Sequence, residues 1–379
     1  MKREKQNILI LDGGHKKTLA IVRSLGRIQG FVLNVAAQNK RAICFFSKYT
    51  SGRIICTDPK TDPIKYQQEI ITELKRKKYL TIIPSDYLSF QLCAQIKSEI
   101  QKYTHIRVAN VELLRNVGNK QWTYEVAKQI NIPVPESEFL KGSADVELMT
   151  NPVSSVLKSA EESGNSYLQY PKSINEAKKL ATSYLQLNQG KTLIAQEKVI
   201  GDGYGFFAYY RDGICTNHFI HHRIREYPPS GGYSVAAEGL YDAEVEKLGL
   251  RILDHLKWDG VAMVEFKKDD KTGVYKLLEI NAKFWGSLDL AIVNGVDFPL
   301  IWTQDAEGIP LTKSQNYTTK KFQWILNGEL FHIFAKPSNV GAVLIDLFSS
   351  DNDISLKDLK PNIFQLANIP MHYYKKWFR

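Results

Sequence analysis

The chain has no apolar run approaching the roughly 18–20 residues that a membrane-spanning helix requires, so no helix is expected to cross a bilayer. Its beginning, MKREKQNILILDGG, is basic but carries only the short apolar stretch Ile8 to Leu11, too little for the core of a secretory signal. Cysteine is scarce: Cys44, Cys56, Cys93 and Cys215 stand far apart with no CxxC pair. That spacing speaks against zinc and for a reducing compartment, which places the expected location in the cytoplasm. No internal repeat and no low-complexity tract appears. The paired glycines Gly13-Gly14 do not make a GxGxxG turn, so a dinucleotide site is only weakly suggested.

What is there belongs to an ordinary globular chain. With 379 residues, 44% hydrophobic and 24% charged, it is long enough for two or three domains around sizeable cores. A net charge of +10 suits an anionic partner such as nucleotide phosphate, nucleic acid or an acidic membrane surface, and selects none of them. The lysines are dispersed except in ELKRKKYL (73–80), which reads as a solvated helix face, and in the terminal YYKKWFR. That tail mixes basic and aromatic residues in a way suited to peripheral contact with lipid headgroups. The core of the chain lacks a basic stripe interleaved with aromatics, so no nucleic-acid partner is expected.

NILILDGGHKKTLAIVRSLG reads as a buried strand, a glycine turn and a helix from Thr18 to Leu25 closed by Gly26. Apolar runs follow at 31–36, 53–57 and 80–86, the later ones separated by helical patterns, so a parallel α/β domain is expected over residues 5–115. From Asn119 the texture changes. NKQWTYEVAKQINIPVPES fits an amphipathic helix ending before Pro133. Strand-like segments then run from 154 to 281, several joined by short turns such as Arg211-Asp212-Gly213 and Lys271-Thr272-Gly273, the mark of antiparallel hairpins. Residues 311–379 carry no legible motif.

One strand breaks its own pattern. KLLEINAKFWGSLDLAI (276–292) places Glu279 and Asn281 on one face of an otherwise apolar strand. If the preceding hairpin is centred on Thr272, Glu265 and Glu279 stand directly opposite each other, with β-carbons about 5 Å apart. Two carboxylates so placed on a half-buried face must share a proton or hold a cation. Asn281 adds a neutral oxygen, and an oxygen-only set of this kind suits Mg²⁺ or Mn²⁺ with substrate phosphates. Two bland arrangements compete: Glu265 paired to a surface lysine with Glu279 at a sheet edge, or a one-residue slip that separates the pair.

LLEINAKFWGSLDLAIVNGVDFP, with GVAMVEF upstream, resembles the closing signature of the ATP-grasp superfamily, nearest to carboxylate–amine ligases similar to the carbamoyl-phosphate synthase large subunit. NKQWTYEVAKQINIPVP, SSVLKS, QEKVIGDGYGFFAYYRDG and HHRIREYPPSGGYS follow in the expected order, so the resemblance covers about residues 7–303. It implies an N-terminal parallel α/β, Rossmann-like domain (1–117), a small lobe (118–195), a large lobe with the metal site (196–310) and a C-terminal extension (311–379). The lobes are α+β with antiparallel sheets, and ATP lies between them.

The implied reaction phosphorylates a carboxylate to an acyl phosphate, which an amine then attacks, releasing ADP and phosphate. The resemblance assigns Glu265, Glu279 and Asn281 to Mg²⁺ (or Mn²⁺) and the ATP phosphates, and Lys120 and Lys158 to the phosphates. It assigns Glu197, Lys198 and Val199 to the adenine edge. Arg223, Arg225 and Lys283, with the Gly231-Gly232 backbone, would hold the acyl phosphate. Alternation sets Arg223 and Arg225 on one face and separates His221 from His222, so His218, His221 and His222 are not assigned to a metal. Each assignment has a structural counterpart: an exposed lysine, a crossing strand, a surface arginine pair.

Two departures stand out. Ala282-Lys283 replaces the usual proline–arginine, which removes a bidentate fork, and KSAEESGNSYL (158–168) has one glycine where many relatives have several. Alternative functions are a nucleotide-binding regulator without turnover and a carboxylase-like enzyme working through carboxyphosphate; the absence of a Met-Lys-Met biotin turn weakens the second. A homodimer is open to such an enzyme.

Overall fold

The first apolar run forms β1 (Gln6–Ile10), an inner strand of a sheet covered on both faces, which is why alternation is absent there. With β2 (Phe31–Ala37), β3 (Thr50–Ile55) and β4 (Thr81–Ile83) it makes an all-parallel sheet in the order β3-β2-β1-β4. The computed structural model describes residues 4–150, 155–162, 167–229, 231–311 and 316–377. Strand β3 overlaps the apolar run expected at 53–57 but begins three residues earlier and ends at Ile55. It is an edge strand, and its residues alternate between exposed and half-buried.

The first helix, Lys16–Leu25, begins two residues before the apolar pattern does. The turn that launches it depends on Asp12 as well as on glycine. Asp12 holds a left-handed φ of 63°, unusual for a residue with a side chain. Its buried carboxylate accepts from the Ser85 and Asp86 amides, both at 2.9 Å, and from the Ser89 hydroxyl at 2.5 Å. Those bonds tie β1 to the segment after β4. Gly13 is required beside it, because a Cβ there would sit 2.6 Å from Val35.

The small lobe is a four-stranded antiparallel sheet of β5 (Ser137–Leu140), β6 (Ser155–Ser159), β7 (Leu168–Gln169) and β8 (Leu193–Glu197), ordered β5-β8-β6-β7. The helix Ile174–Leu187 covers it, burying Ala177 and Ala181 against Leu157, Leu193 and Ala195. The large lobe is a seven-stranded sheet. It runs through β9 (Gly203–Arg211), β10 (Ile214–Tyr227), β11 (Tyr233–Gly239), β12 (Gly260–Lys268), β13 (Tyr275–Asn281), β14 (Lys321–Gln323) and β15 (Asp351–Asn352), in the order β13-β12-β9-β10-β11-β14-β15. The β9–β10 hairpin turns through Asp212 and Gly213, both left-handed at φ 52° and 80°, the tight connection that Arg-Asp-Gly suggested.

The segment after residue 311 is wired into both neighbours. Its strand β14 pairs antiparallel with β11, and β15 pairs parallel with β14. Glu329 and Asp346 hold buried Arg225 at 2.6 and 2.7 Å. Farther on, Asp358 accepts from Arg23 at 3.1 Å, from the Ser47 hydroxyl at 2.9 Å and from the Lys48 amide at 2.9 Å. Arg23 also donates to the Asp353 carbonyl and to Asn362. A buried pair broken on one side leaves an uncompensated charge. Asp358→Ala is therefore expected to destabilise the fold by roughly 3–5 kcal/mol. Chemical denaturation of this variant against wild type checks it; an unchanged midpoint would contradict the anchoring role.

Candidate active site

The site starts from a hairpin that is not quite regular. At Asp269 the chain turns, the carboxylate accepting from the Lys271 amide at 2.8 Å. Next to the turn, β12 and β13 pair Lys268 with Tyr275, Lys267 with Lys276 and Phe266 with Leu277. Continued unchanged, this register would set Leu278 opposite Glu265. Instead Leu278 bulges, and beyond it Glu265 faces Glu279, Val264 faces Ile280 and Met263 faces Asn281. The turn is thus centred slightly before Thr272, and the expected pairing of the two glutamates is restored by a β-bulge.

The bulge leaves a backbone carbonyl outside the ladder, and the structure supplies its partner. Tyr124, fully buried on the helix Lys120–Gln129, donates its hydroxyl to the Leu278 carbonyl at 2.8 Å. The same hydroxyl oxygen lies 3.1 Å from the Lys158 ammonium of β6 and 3.0 Å from the Gln196 amide of β8. One phenol therefore joins β13 of the large lobe to two strands of the small lobe. Sequence reasoning missed it, although Tyr124 stands four residues after Lys120 and so shares its helix face.

Around the glutamates the charges interlock. The Asn281 amide donates to Glu265 at 3.0 Å and to Glu279 at 3.1 Å. The outer oxygen of Glu279 meets Lys120 at 3.2 Å, and that of Glu265 meets the Arg223 guanidinium. Burial opposes ionisation of Glu279, but Lys120, Lys158 and the Asn281 amide outweigh it and hold its carboxyl well below the usual range. Glu265 goes the other way: burial and the Glu279 charge raise it, against the pull of Arg223. Two like carboxylates are thus driven apart in acidity, as expected of a pair confined together. Lys120 stays charged despite burial because Glu279 faces it. Lys158 is pushed down to about 7 by burial and by the neighbouring Lys120 charge.

Gly205 lies in register between His221 on β10 and Glu265 on β12; a Cβ there would come within 2.3 Å of the His221 ring. His221 is buried, packs against Phe207 and is held neutral chiefly by burial. His222 meets Asp202 and Glu238, and His218 meets Glu246, so the three histidines point to different partners. Among the described residues no three His, Cys, Asp or Glu side chains converge as a metal cluster. Two carboxylates and an amide remain, a hard donor set that fits Mg²⁺ or Mn²⁺ once the Asn281 amide turns its oxygen inward.

Other expected residues are placed less simply. The strand bulges between Arg223 and Arg225, so they do not act as an aligned pair. Arg223 bridges Glu265, Glu226 and the Gly232 carbonyl, while Arg225 is taken by Glu329 and Asp346. The Gly231 amide closes its own turn onto the Pro228 carbonyl at 3.1 Å instead of facing an anion. Lys283 pairs with Glu162 and lies 5.7 Å over the Tyr87 ring, its ammonium pushed down to about 8 chiefly by burial. Residues 163–166 of the adjoining loop lie outside the described residues.

Glu197 ends β8 bound to Lys276 and to the Glu136 amide; Lys198 lies 5.0 Å over Tyr170, and the Val199 carbonyl accepts from Lys267 at 3.1 Å. This is the crossing from small to large lobe. Beside Arg223 and Lys267 sits a cavity of about 220 Å³, walled in part by His332, Lys336 and Asn339 from the C-terminal segment. A larger open cleft of about 750 Å³ near Leu80 and Leu300 contains none of these residues.

The parallel domain and the two antiparallel lobes meeting at this charge cluster define the ATP-grasp fold. Within it the likeness runs to carboxylate–amine ligases and their structural neighbours. The chain is 24% identical over 326 residues to the D-aspartate ligase of Enterococcus faecium, a match spanning 79% of this chain and 76% of that protein. It is 25% identical over 227 residues to the carbamoyl phosphate synthase large chain of Methanothermobacter thermautotrophicus, covering 56% of this chain but only 21% of that one. Among solved structures, the L-amino acid ligase of Bacillus licheniformis superposes with a TM-score of 0.61 at 13% identity, over 80% of this chain and 74% of that one. An ADP complex of the N5-carboxyaminoimidazole ribonucleotide synthetase purK gives 0.65 at 13% identity, over 89% and 86%. No family model matches the chain.

Tyr124→Phe removes one oxygen and leaves the Leu278 carbonyl and the Lys158 ammonium buried without it. A destabilisation of about 1–3 kcal/mol is expected in denaturant unfolding, well beyond the effect of an exposed Tyr→Phe change such as at Tyr233.

Proposed function

We propose that the protein is an ATP-dependent ligase that activates a carboxylate as its acyl phosphate and transfers the acyl group to an amine, with ADP and phosphate released. The in-register apposition of Glu265 and Glu279, capped by Asn281 and flanked by Lys120 and Arg223, carries the reading. Glu265, Glu279 and Asn281 would hold Mg²⁺ or Mn²⁺, which when bound neutralises charge on the transferring phosphoryl group.

The chain's own residues prepare for that charge. Lys120 keeps Glu279 ionised, so an anionic oxygen is ready without a proton having to leave. Arg223 meets Glu265 from the opposite side and opposes, without cancelling, the rise that burial and Glu279 impose on it. Its guanidinium also borders the cavity where a carboxylate substrate would sit. Lys158 rests near neutrality against Tyr124 and gains its charge when phosphate oxygens approach. The backbone of Glu197, Lys198 and Val199 would meet the adenine edge, the Val199 carbonyl exchanging Lys267 for it, with the Glu197 side chain occupied in fixing the crossing. Lys283 reaches the acyl phosphate by exchanging Glu162 for it. Arg225 acts as a positioning residue in the cavity wall. Four scattered cysteines with no CxxC pair suit a cytoplasmic enzyme.

The first test screens amino acids and small carboxylates pairwise, with ATP and Mg²⁺, for phosphate and ADP release. Release dependent on both an acid and an amine is expected. Release dependent on bicarbonate alone would favour the carboxylase-like reading, and none with any pair would favour a regulator. In the active pair, Glu279→Gln should lower ADP formation by about a thousandfold or more, within the span a charge-stabilising group commands, while its circular dichroism at the assay temperature shows it still folded. Wild-type turnover would refute the role of Glu279.

Lys158 also makes a pH-linked expectation. With its ammonium pushed down to about 7, most of it is neutral at pH 8, and nearby phosphate favours the charged form. Nucleotide binding at pH 8 should therefore take up a fraction of a proton, and Lys158→Met should abolish that uptake. Calorimetry in two buffers of different ionisation enthalpy reads it directly.

A further inference from the structure

Among the described residues, half of the exposed large apolar side chains fall between Phe334 and Leu366, a small part of the chain. Soluble surfaces rarely concentrate apolar groups this way without a partner. The helix Val340–Ser349, VGAVLIDLFS, buries only Val343 and Asp346. Its remaining apolar side chains face outward, Ile345 at 70% and Phe348 at 90% exposure, with Val340, Leu344 and Leu347 beside them. The next helix, Leu359–Trp377, exposes Leu359, Ile363 and Leu366, a stripe at helical spacing. Phe334 and Leu356, 75% and 84% exposed, stand near the ends of these helices in the chain.

The exposed charges on the same stretch are mostly positive. Lys336, Lys357 and Lys360 are exposed, against Asp351 alone. The other acids are turned inward: Asp346 to Arg225, Asp358 to Arg23, and Asp353 to the Leu326 amide. In sequence the stripe spacing runs on to Tyr373 and Trp377, accompanied by Lys375, Lys376 and Arg379. Outward apolar side chains with a cationic, aromatic border match a surface that lies in a lipid interface. Lysines there gain from anionic headgroups within a Debye length. A second copy of the chain fits less well, because an isologous contact would bring the same lysines together.

We infer that the C-terminal face formed by residues 334–366 docks on an anionic lipid bilayer, bringing the ligase site to substrates held at a membrane surface. The docking is interfacial, since no described helix is long and apolar enough to span a bilayer. It rests on surface chemistry alone and stands or falls independently of the reaction.

Flotation of the full chain with vesicles tests it. Wild type should float with phosphatidylcholine vesicles containing phosphatidylglycerol, much less with phosphatidylcholine alone, and less again at high salt. The double change Ile345→Glu and Phe348→Glu should cut the vesicle-bound fraction at least tenfold. So should Lys357→Glu with Lys360→Glu. Thermal midpoints and nucleotide binding in solution should hold for both pairs. Failure of wild type to float with the anionic vesicles overturns the inference. Equal flotation of the Ile345/Phe348 variant overturns it as well. So does sedimentation equilibrium showing a dimer that this variant dissolves, which would assign the face to a second copy.

Discussion

Two carboxylates held opposite each other are the constraint around which the rest of the site is arranged. Glu265 and Glu279 cannot both carry full charge in a buried setting without compensation, and the chain compensates from three directions: an amide between them, an ammonium on one flank and a guanidinium on the other. The compensators come from different elements. Asn281 lies on the same strand, Lys120 opens a helix ahead of the small-lobe sheet, and Arg223 lies two strands away on β10. Bringing the pair together therefore brings the lobes together.

That coupling explains why a bulge stands beside Glu279. The bulge at Leu278 shifts the register so that Glu279 faces Glu265, but it frees a carbonyl that the ladder cannot use. Tyr124 takes that carbonyl and, through the same oxygen, Lys158 and Gln196. The local irregularity of the large lobe is thus corrected by a side chain that also reaches the small lobe. Because Tyr124 and Gln196 are buried and Lys158 and Leu278 half-buried, each is sensitive to loss of its partners, and the geometry here is held by hydrogen bonds more than by shape.

The C-terminal segment has two faces with opposite logic. Inward it is polar and specific: Glu329 and Asp346 neutralise Arg225, and Asp358 locks Arg23 of the N-terminal domain. Outward it is apolar and cationic. The inward anchors are what allow the outward face to be so poorly covered, since they hold the helices in place without needing a large hydrophobic contact. The same segment walls the cavity beside Arg223, so the proposed substrate pocket and the proposed lipid-facing surface share one piece of chain.

Much of the architecture was legible in residue order. Alternation on β13 marked Glu279 and Asn281, Arg-Asp-Gly marked a hairpin, and uninterrupted apolar runs marked the parallel sheet, because these signals are local and depend on periods of two and on turn chemistry. Where the reading needed a distance of many residues, it faltered. Arg223 and Arg225 looked equivalent by alternation until the bulge on β10 and the acids at 329 and 346 separated them. Lys283 looked free for a phosphate until Glu162 appeared beside it. Sequence alone determined which residues could carry the chemistry, since residue type and short-range spacing are written in it. Tertiary structure decided which of those side chains are already spoken for, because a buried charge takes its partner from whichever element folding brings within a few ångströms, and no local period records that choice.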